Sequence, residues 1–485
     1  MSEKRRLTSN TIFYFTYQCI LFVAPLVIMP YLTRVFSEST IGTYSFSYAT
    51  AYYFVLLANL GISIYGQREI ASHKDDKKVL AHKFWSIYYV HFVLSIIAIG
   101  AYIVFMFISK QVSIYAFIIP YVVSALFDVT WFFYGLENFK LVTLINSLFT
   151  ICKVALIFLF VKNDNCLWVY QLISFGVILL SQATIFTIAM ITIGKPVKPN
   201  FKESSMHLKP IAYFAIAAIA LTLYTYVDKT LMGLMIDDSK KSVAFYECAD
   251  KIIAVPRTLI TILGAVLYPR MCKLSSDNEE EKIKKFTIFS IDWTCFLAIG
   301  SMVGLLALSV PFAIIYYGEP YIVSGHYMML MVPLIFIISL GSICRTQYIL
   351  PMKKDKVFLI AICMNAIINL TLNIILIRYI GVYGVIIASI VSETAALTFQ
   401  LFYCKGFFPF KYLLKSVLVH AISAGLMFGV MYATNLLLPL NSWKELLINI
   451  LAGCISYIGF VFLFSWIFKY KNVVMKILSK ETKQI

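Results

Sequence analysis

The amino-acid sequence predicts an all-α polytopic membrane protein of about 14 transmembrane helices, and three observations carry that prediction. The 485 residues are 61% apolar and 13% charged, against about 45–50% and about 25% in a soluble domain. The apolar residues gather into segments of about 20 or more, the length a helix needs to cross the hydrocarbon core. The basic residues between those segments are heavy in every second loop and sparse in the others, the asymmetry that orients membrane helices.

The segments fall at approximately 11–31, 41–64, 84–108, 114–134, 141–161, 166–193, 211–236, 243–268, 286–316, 323–344, 357–377, 383–403, 416–436 and 446–468. Lys4, Arg5 and Arg6 precede the first, which lacks a small-residue cleavage site and flows into the second, so it is expected to be an uncleaved helix. No stretch alternates with strand periodicity, which excludes a barrel. With both termini cytoplasmic, the tails and inner loops hold 30 of the 41 Lys and Arg, the outer loops hold 7, and 4 lie inside spans. The formal net charge of +17 is therefore a topology signal, and no nucleic-acid partner is expected of so apolar a chain. The outer loops reach only about nine residues, too little for a large outer loop or a soluble catalytic domain, so no enzyme is expected.

Ten Cys without a CxxC pair read as small hydrophobes in apolar helices. The six His (73, 82, 91, 207, 326 and 420) show no ligand spacing. No metal site and no catalytic residue is expected, and no cofactor beyond a coupling H+ or Na+.

A shift of 202 residues lays Ile41-Gly42-Thr43-Tyr44 over Val243-Ala244-Phe245-Tyr246 and Arg68 over Arg270. Six spans separate the copies, so both have the same orientation. That points to a parallel repeat of helices 1–6 and 7–12, the plan of two-lobed transporters.

Ten charged residues fall within spans: Asp128, Lys153, Asp228, Lys229, Glu247, Asp250, Lys251, Arg257, Asp292 and Glu393. On lipid each basic or Asp side chain would cost about 2.5–3.5 kcal/mol at mid-bilayer, so most are expected to line a wet, protein-enclosed cavity. In the eighth span Glu247, Asp250, Lys251 and Arg257 fall within an arc of about 120° at 100° per residue, with Pro256, Ile260, Leu263 and Leu267 opposite. A Glu247–Lys251 pair at i, i+4 would neutralise itself, and Arg257 is then expected to lack a local partner. Facing cations suit an anionic solute, since Arg and Lys bind phosphate through charge-assisted hydrogen bonds. The carboxylates suit proton or sodium coupling. Pro25 and Pro30 in the first span are candidate hinges, because proline removes a helix bond and crowds the preceding turn.

Ordered stretches carry a family resemblance. Pro30-Tyr31-Leu32-Thr33-Arg34, Gly42-Thr43-Tyr44-Ser45-Phe46, and Gly61 with Tyr65-Gly66-Gln67-Arg68-Glu69-Ile70-Ala71 open the chain. Asp228 with Leu231-Met232-Gly233, then Tyr246 and Ala249-Asp250-Lys251, follow. Gln347, Pro351, Asn365, Asn369, Asn373, Gly381-Val382-Tyr383-Gly384 and Ser392-Glu393 complete the set. Together they resemble bacterial Wzx-type flippases, in the polysaccharide-transporter branch of the multidrug/oligosaccharidyl-lipid/polysaccharide exporter superfamily. Phe36-Ser37 departs from the Leu-Gly expected there.

The resemblance implies two six-helix lobes related by a parallel pseudo-two-fold, plus two C-terminal helices. The N-terminal lobe would be 1–193, a cytoplasmic linker 194–210, the C-terminal lobe 211–404, and the extra helices with a basic tail 405–485. It implies alternating-access transfer of an undecaprenyl-diphosphate-linked oligosaccharide, for O-antigen, capsule or a similar polymer, from the inner to the outer leaflet of the bacterial inner membrane. A separate polymerase and chain-length regulator would be partners. Arg34, Lys153, Lys229, Lys251 and Arg257 would then face the diphosphate. Asp128, Asp228, Glu247, Asp250, Asp292 and Glu393 would line the cavity or bind the coupling ion. An ion-coupled multidrug exporter of the same superfamily is the alternative, disfavoured by four intramembrane cations.

Overall fold

The computed structural model describes residues 20, 23–73, 76–194, 201–236, 238–406, 408–468 and 470. Among these the regular structure is helical throughout. We number the long elements α1 to α14: Val23–Val35, Glu38–Ser72, Lys77–Ile108, Val112–Gly135, Phe139–Phe160, Asp164–Ile193, Leu208–Met235, then Ser239–Ser276, Glu280–Tyr317, Glu319–Ile349, Asp355–Ile380, Val382–Tyr403, Phe410–Leu437 and Trp443–Ile467. From α2 onward these give 12 helices long and apolar enough to cross a membrane, or 13 with the bent α10 counted as one span. Thirteen of the expected segments therefore match a helix. Most of the first expected segment, 11–31, lies outside the described residues, as do Lys4 to Arg6, part of the 194–210 linker and the basic tail from 471. Its described part, α1, runs unbroken through Pro25 and Pro30.

The chain divides into two compact units, Met1–Ala244 and Phe245–Ile485. In the first, α2 is the central element, packed on α3, α4, α6 and α7. It is broken at Leu60 and Gly61, where Gly61 takes φ +75°. A Cβ there would also lie 2.8 Å from Ile211 O and Ala215 N of α7. Glycine thus answers a left-handed turn and a close helix crossing at one position. The core of this unit is aromatic, with Phe84, Trp131, Phe132 and Phe133 buried together with Ile62 and Ile70.

α4 is the least regular of these helices. A 3-10 turn over Ala125–Phe127 gives way to extended backbone at Asp128 (ψ 93°), and a short α-turn resumes over Thr130–Gly135. Asp128 Oδ1 caps that turn, accepting from Thr130 N at 3.1 Å and Thr130 Oγ1 at 2.6 Å. An aspartate in this role satisfies donors that the break leaves open.

In the second unit α9 is central, packing on α10 and on the C-terminal pair α13 and α14. Its core joins Ile291, Cys295 and Ile299 of α9 to Met427 and Met431 of α13 and Tyr457 and Val461 of α14. α10 bends by 45° between Met331 and Pro333 and ends in a π-helical turn, Cys344–Ile349.

Candidate functional site

The charged face expected on α8 is present. Ile252, Ile253, Pro256 and Ile260 are buried on its apolar side, while Asp250, Lys251 and Arg257 remain half-buried on the other. Lys251 Nζ lies 3.0 Å from Glu247 Oε1. Arg257 Nη2 lies 3.8 Å from Asp250 Oδ1. The expectation that Arg257 has no local partner is thus corrected. Seven residues turn the helix through about 700°, so Arg257 shares a face with Asp250, and a long guanidinium arm spans the rise of about 10 Å. The four charges form two neutral pairs along one stripe at membrane depth, with side-chain exposures between 11% and 30%.

The remaining candidates of the first unit are spread over four helices. Arg34 is exposed at the end of α1, and its Nη1 donates to Pro30 O at 2.5 Å. Lys153 is half-buried midway along α5. On α7, Asp228 is buried and Lys229 is half-buried, its ammonium 6.0 Å from the centre of the Tyr226 ring. One turn of α7 is tied to α2 by the Tyr53 and Thr230 hydroxyls, 3.1 Å apart. Asp128 sits half-buried at the break in α4.

Asp292 and Glu393 occupy two separate packing seams of the second unit. Asp292 is fully buried. Its Oδ1 accepts from Ser416 Oγ of α13 at 3.1 Å and from the Tyr470 hydroxyl, so this carboxylate fastens the chain beyond α14 to α9 and α13. Glu393 of α12 accepts from Asn365 Nδ2 of α11 at 3.1 Å. The seam continues through Asn369 Nδ2 to Ser389 Oγ, 3.4 Å, and Asn373 Nδ2 to Asn369 Oδ1, 3.0 Å. The asparagines are spaced i, i+4, i+8, which lines them up along one side of α11.

Two features of the first unit went unread. His91 of α3 is fully buried. Its signal in sequence was a lone imidazole in a long apolar helix. The second is a tyrosine stripe: Tyr44, Tyr48 and Tyr52, one turn apart on α2, meet Tyr121, Tyr170, Phe175 and Tyr226, with Tyr52 and Tyr226 stacked at 4.1 Å. The i, i+4, i+8 spacing of those tyrosines was legible.

With this geometry in view, comparison with known proteins is informative. The chain is 27% identical to a protein named an O-antigen transporter in Shigella dysenteriae, over 78% of this chain and 95% of that one. It is 23% identical to a protein of Haloferax volcanii named for low-salt glycan biosynthesis flippase activity, over 57% of this chain and 58% of that one. A solved structure of the lipid II flippase MurJ, in an inward closed conformation, shares the fold with a TM-score of 0.74 at 18% identity, covering 94% of this chain and 99% of that one. The family model described as polysaccharide biosynthesis protein matches residues 7–275, more than half of the sequence. The relatives are named as transporters and flippases, and none is named as an enzyme. This multi-pass membrane chain, with its charged α8 face, belongs to the polysaccharide biosynthesis protein family, bearing out its resemblance to the Wzx-type branch.

Proposed function

We propose that this chain is a flippase for an undecaprenyl-diphosphate-linked oligosaccharide, carrying it from the inner to the outer leaflet of the bacterial inner membrane by alternating access coupled to H+ or Na+. The termini are cytoplasmic in this reading, and a polymerase and chain-length regulator act on the product. The observation that carries it is the α8 stripe, where Lys251 and Arg257 sit half-buried beside Glu247 and Asp250. Pairing keeps the empty stripe neutral, which limits the desolvation cost of holding charge at membrane depth. A diphosphate offers more acceptor oxygens than a carboxylate and binds guanidinium bidentately, so it can take the two cations from their acidic partners. The released Glu247 and Asp250 then bind a cation in place of the lost pair. Substrate and coupling ion thereby act on the same two pairs. Lys229 and Lys153 supply further positive charge.

The test is surface polymer in cells carrying Lys251→Ala or Arg257→Ala. Each variant should insert and accumulate normally, since a partly exposed ion pair is worth about 0–1 kcal/mol, yet export should fall by at least about tenfold, the effect of losing about 1.4 kcal/mol of substrate interaction. Wild-type polymer levels in both variants would overturn the assignment of the stripe.

A further inference from the structure

Two aromatic clusters of the first unit differ in kind. Phe84, Trp131, Phe132 and Phe133 are buried, and none of these four rings carries a hydroxyl. The other cluster gathers Tyr44, Tyr48 and Tyr52 of α2, Tyr121 of α4, Tyr170 and Phe175 of α6, and Tyr226 of α7. Every ring in it except Phe175 bears a hydroxyl. Tyr44, Tyr48, Tyr52 and Tyr226 stay half-buried, with Tyr121, Tyr170 and Phe175 buried behind them. Packing alone is served by phenylalanine, since a buried hydroxyl needs a partner. The interfacial belt of tyrosines does not account for the stripe either. At about 1.5 Å per residue, Tyr48 and Tyr52 lie about 10 and 16 Å past the start of their apolar segment at 41, which puts Tyr52 near the middle of the hydrocarbon core.

The rings make two faces. Tyr44, Tyr48 and Phe175 are nearly parallel, at interplanar angles of 6°, 14° and 19°, with centroids 5.9–6.1 Å apart. Tyr52 and Tyr226 form a second, stacked pair, turned 69° and 75° from Tyr48. The two faces meet as a corner between α2, α6 and α7. The Tyr48 hydroxyl accepts from Tyr121 at 3.5 Å, and the Tyr52 hydroxyl makes no hydrogen bond with the described residues. Thr43 and Ser47, which precede Tyr44 and Tyr48 on α2, line a small cavity with Gln111 and Lys240, so open space reaches α2 beside the stripe. The Lys229 ammonium stands 6.0 Å from the centre of the Tyr226 ring.

We propose that this tyrosine corner is a carbohydrate-binding site, in which a sugar ring of the lipid-linked oligosaccharide stacks against Tyr44, Tyr48, Tyr52 and Tyr226. The identity of the ligand rests on the flippase reading; the site itself is new to it. A pyranose carries C–H groups on its faces and hydroxyls around its rim. The negative face of an aromatic ring attracts polarised C–H groups. Tyrosine hydroxyls both donate and accept, which matches the rim. Two χ angles per side chain leave little freedom to lose on binding. A polyprenyl tail would be served as well by Leu or Ile, and a diphosphate calls for cations, so rings that are uncharged and hydroxyl-bearing fit the sugar best. Lys229 at the edge of the corner places the bound sugar next to a cation that the flippase reading gives to the diphosphate.

The experiment titrates the purified full chain with two lipids and reads the bound mass by native mass spectrometry. One is the lipid-linked oligosaccharide extracted from cells that lack this chain; the other is undecaprenyl diphosphate, which has the tail and the diphosphate but no sugar. Tyr48→Leu and Tyr52→Leu should each weaken binding of the sugar-bearing lipid by about 2–10-fold, the range of one aromatic contact. Binding of the bare lipid should stay at the parent's level, which also shows that the variants are folded. Tyr52→Phe keeps the ring and should lose less than Tyr52→Leu. Variants that bind both lipids as the parent does, or that lose both alike, would overturn the carbohydrate site and leave the flippase reading standing. A parent chain that binds neither lipid would overturn the flippase reading, and the site with it.

Discussion

Gly42→Ala tests whether the contact between α2 and the start of α8 is a closure that the protein must make. A Cβ on Gly42 would lie 1.6 Å from Lys240 O, 2.4 Å from Lys240 C and 2.9 Å from Lys240 Cα. All three are backbone atoms, so no rotamer change relieves the clash. Real Cβ atoms do not approach closer than 3.0 Å, so the first turn of α8 must retreat by about 1.4 Å. Overpacking of this kind costs about 1–3 kcal/mol, which corresponds to a ~5–150-fold shift between contacting and separated states. The contact borders a small cavity lined by Thr43, Ser47, Gln111, Gly233, Ser239 and Lys240. The assay is amide hydrogen exchange of the chain in nanodiscs, read on peptides covering 38–47 and 238–246. Exchange there should quicken by the same ~5–150-fold, while the core around Trp131 keeps its protection. Gly233→Ala is the control, since its Cβ would meet the Phe46 ring at 2.1 Å. A side chain can be trimmed, so Phe46→Ala should rescue Gly233→Ala and leave Gly42→Ala unrescued. Unchanged exchange in a folded Gly42→Ala chain would refute the closure.

Two further outcomes follow from the described pairs and seams. Exchanging the charges of the α8 pair, Asp250→Arg with Arg257→Asp, should leave the melting temperature near the parent's, because a partly exposed pair is worth about 0–1 kcal/mol; surface polymer should nevertheless be lost, and parental export would mean that the pair only neutralises itself. Tyr470→Phe removes one donor from the fully buried Asp292, so thermal unfolding in nanodiscs should register a loss of about 1.5–3 kcal/mol, the range for hydrogen bonds to a charged group, and an unchanged transition would show that the Tyr470 hydroxyl adds nothing to the hold on that carboxylate.

Hydropathy located the helices because lipid imposes one demand on every spanning segment: it must be long, apolar and internally hydrogen-bonded. That demand is local, so it is written locally, and each expected segment after the first meets a helix, although helices such as Glu38–Ser72 and Ser239–Ser276 run about two turns past the apolar segment. The irregularities inside the helices were not legible. The α2 break at Gly61 depends on α7 crossing there at Ile211 and Ala215, about 150 residues along the chain. The break in α4 lies in an aromatic run that reads as continuous helix, and only the cap from Asp128 to Thr130 reveals it.

The α8 charges show where local reading stops. A pair at i, i+4 is a familiar contact, and Glu247–Lys251 was anticipated as one. The Asp250–Arg257 pair spans two turns and depends on the reach of the guanidinium arm, which sequence spacing alone does not show. Its discovery changes the reason for a functional reading of that helix. An unpaired Arg257 would have signalled function through its cost alone. A paired one is affordable at rest, so the informative fact is its half-exposure: a pair meant only for structure is better buried among packed side chains, as Glu393 is beside Asn365. Arg257 and Lys251 instead keep about a quarter to a third of their side-chain surface open. Charges held neutral and yet reachable suit the proposed alternating access, in which the emptied site must reorient without an uncompensated charge at membrane depth.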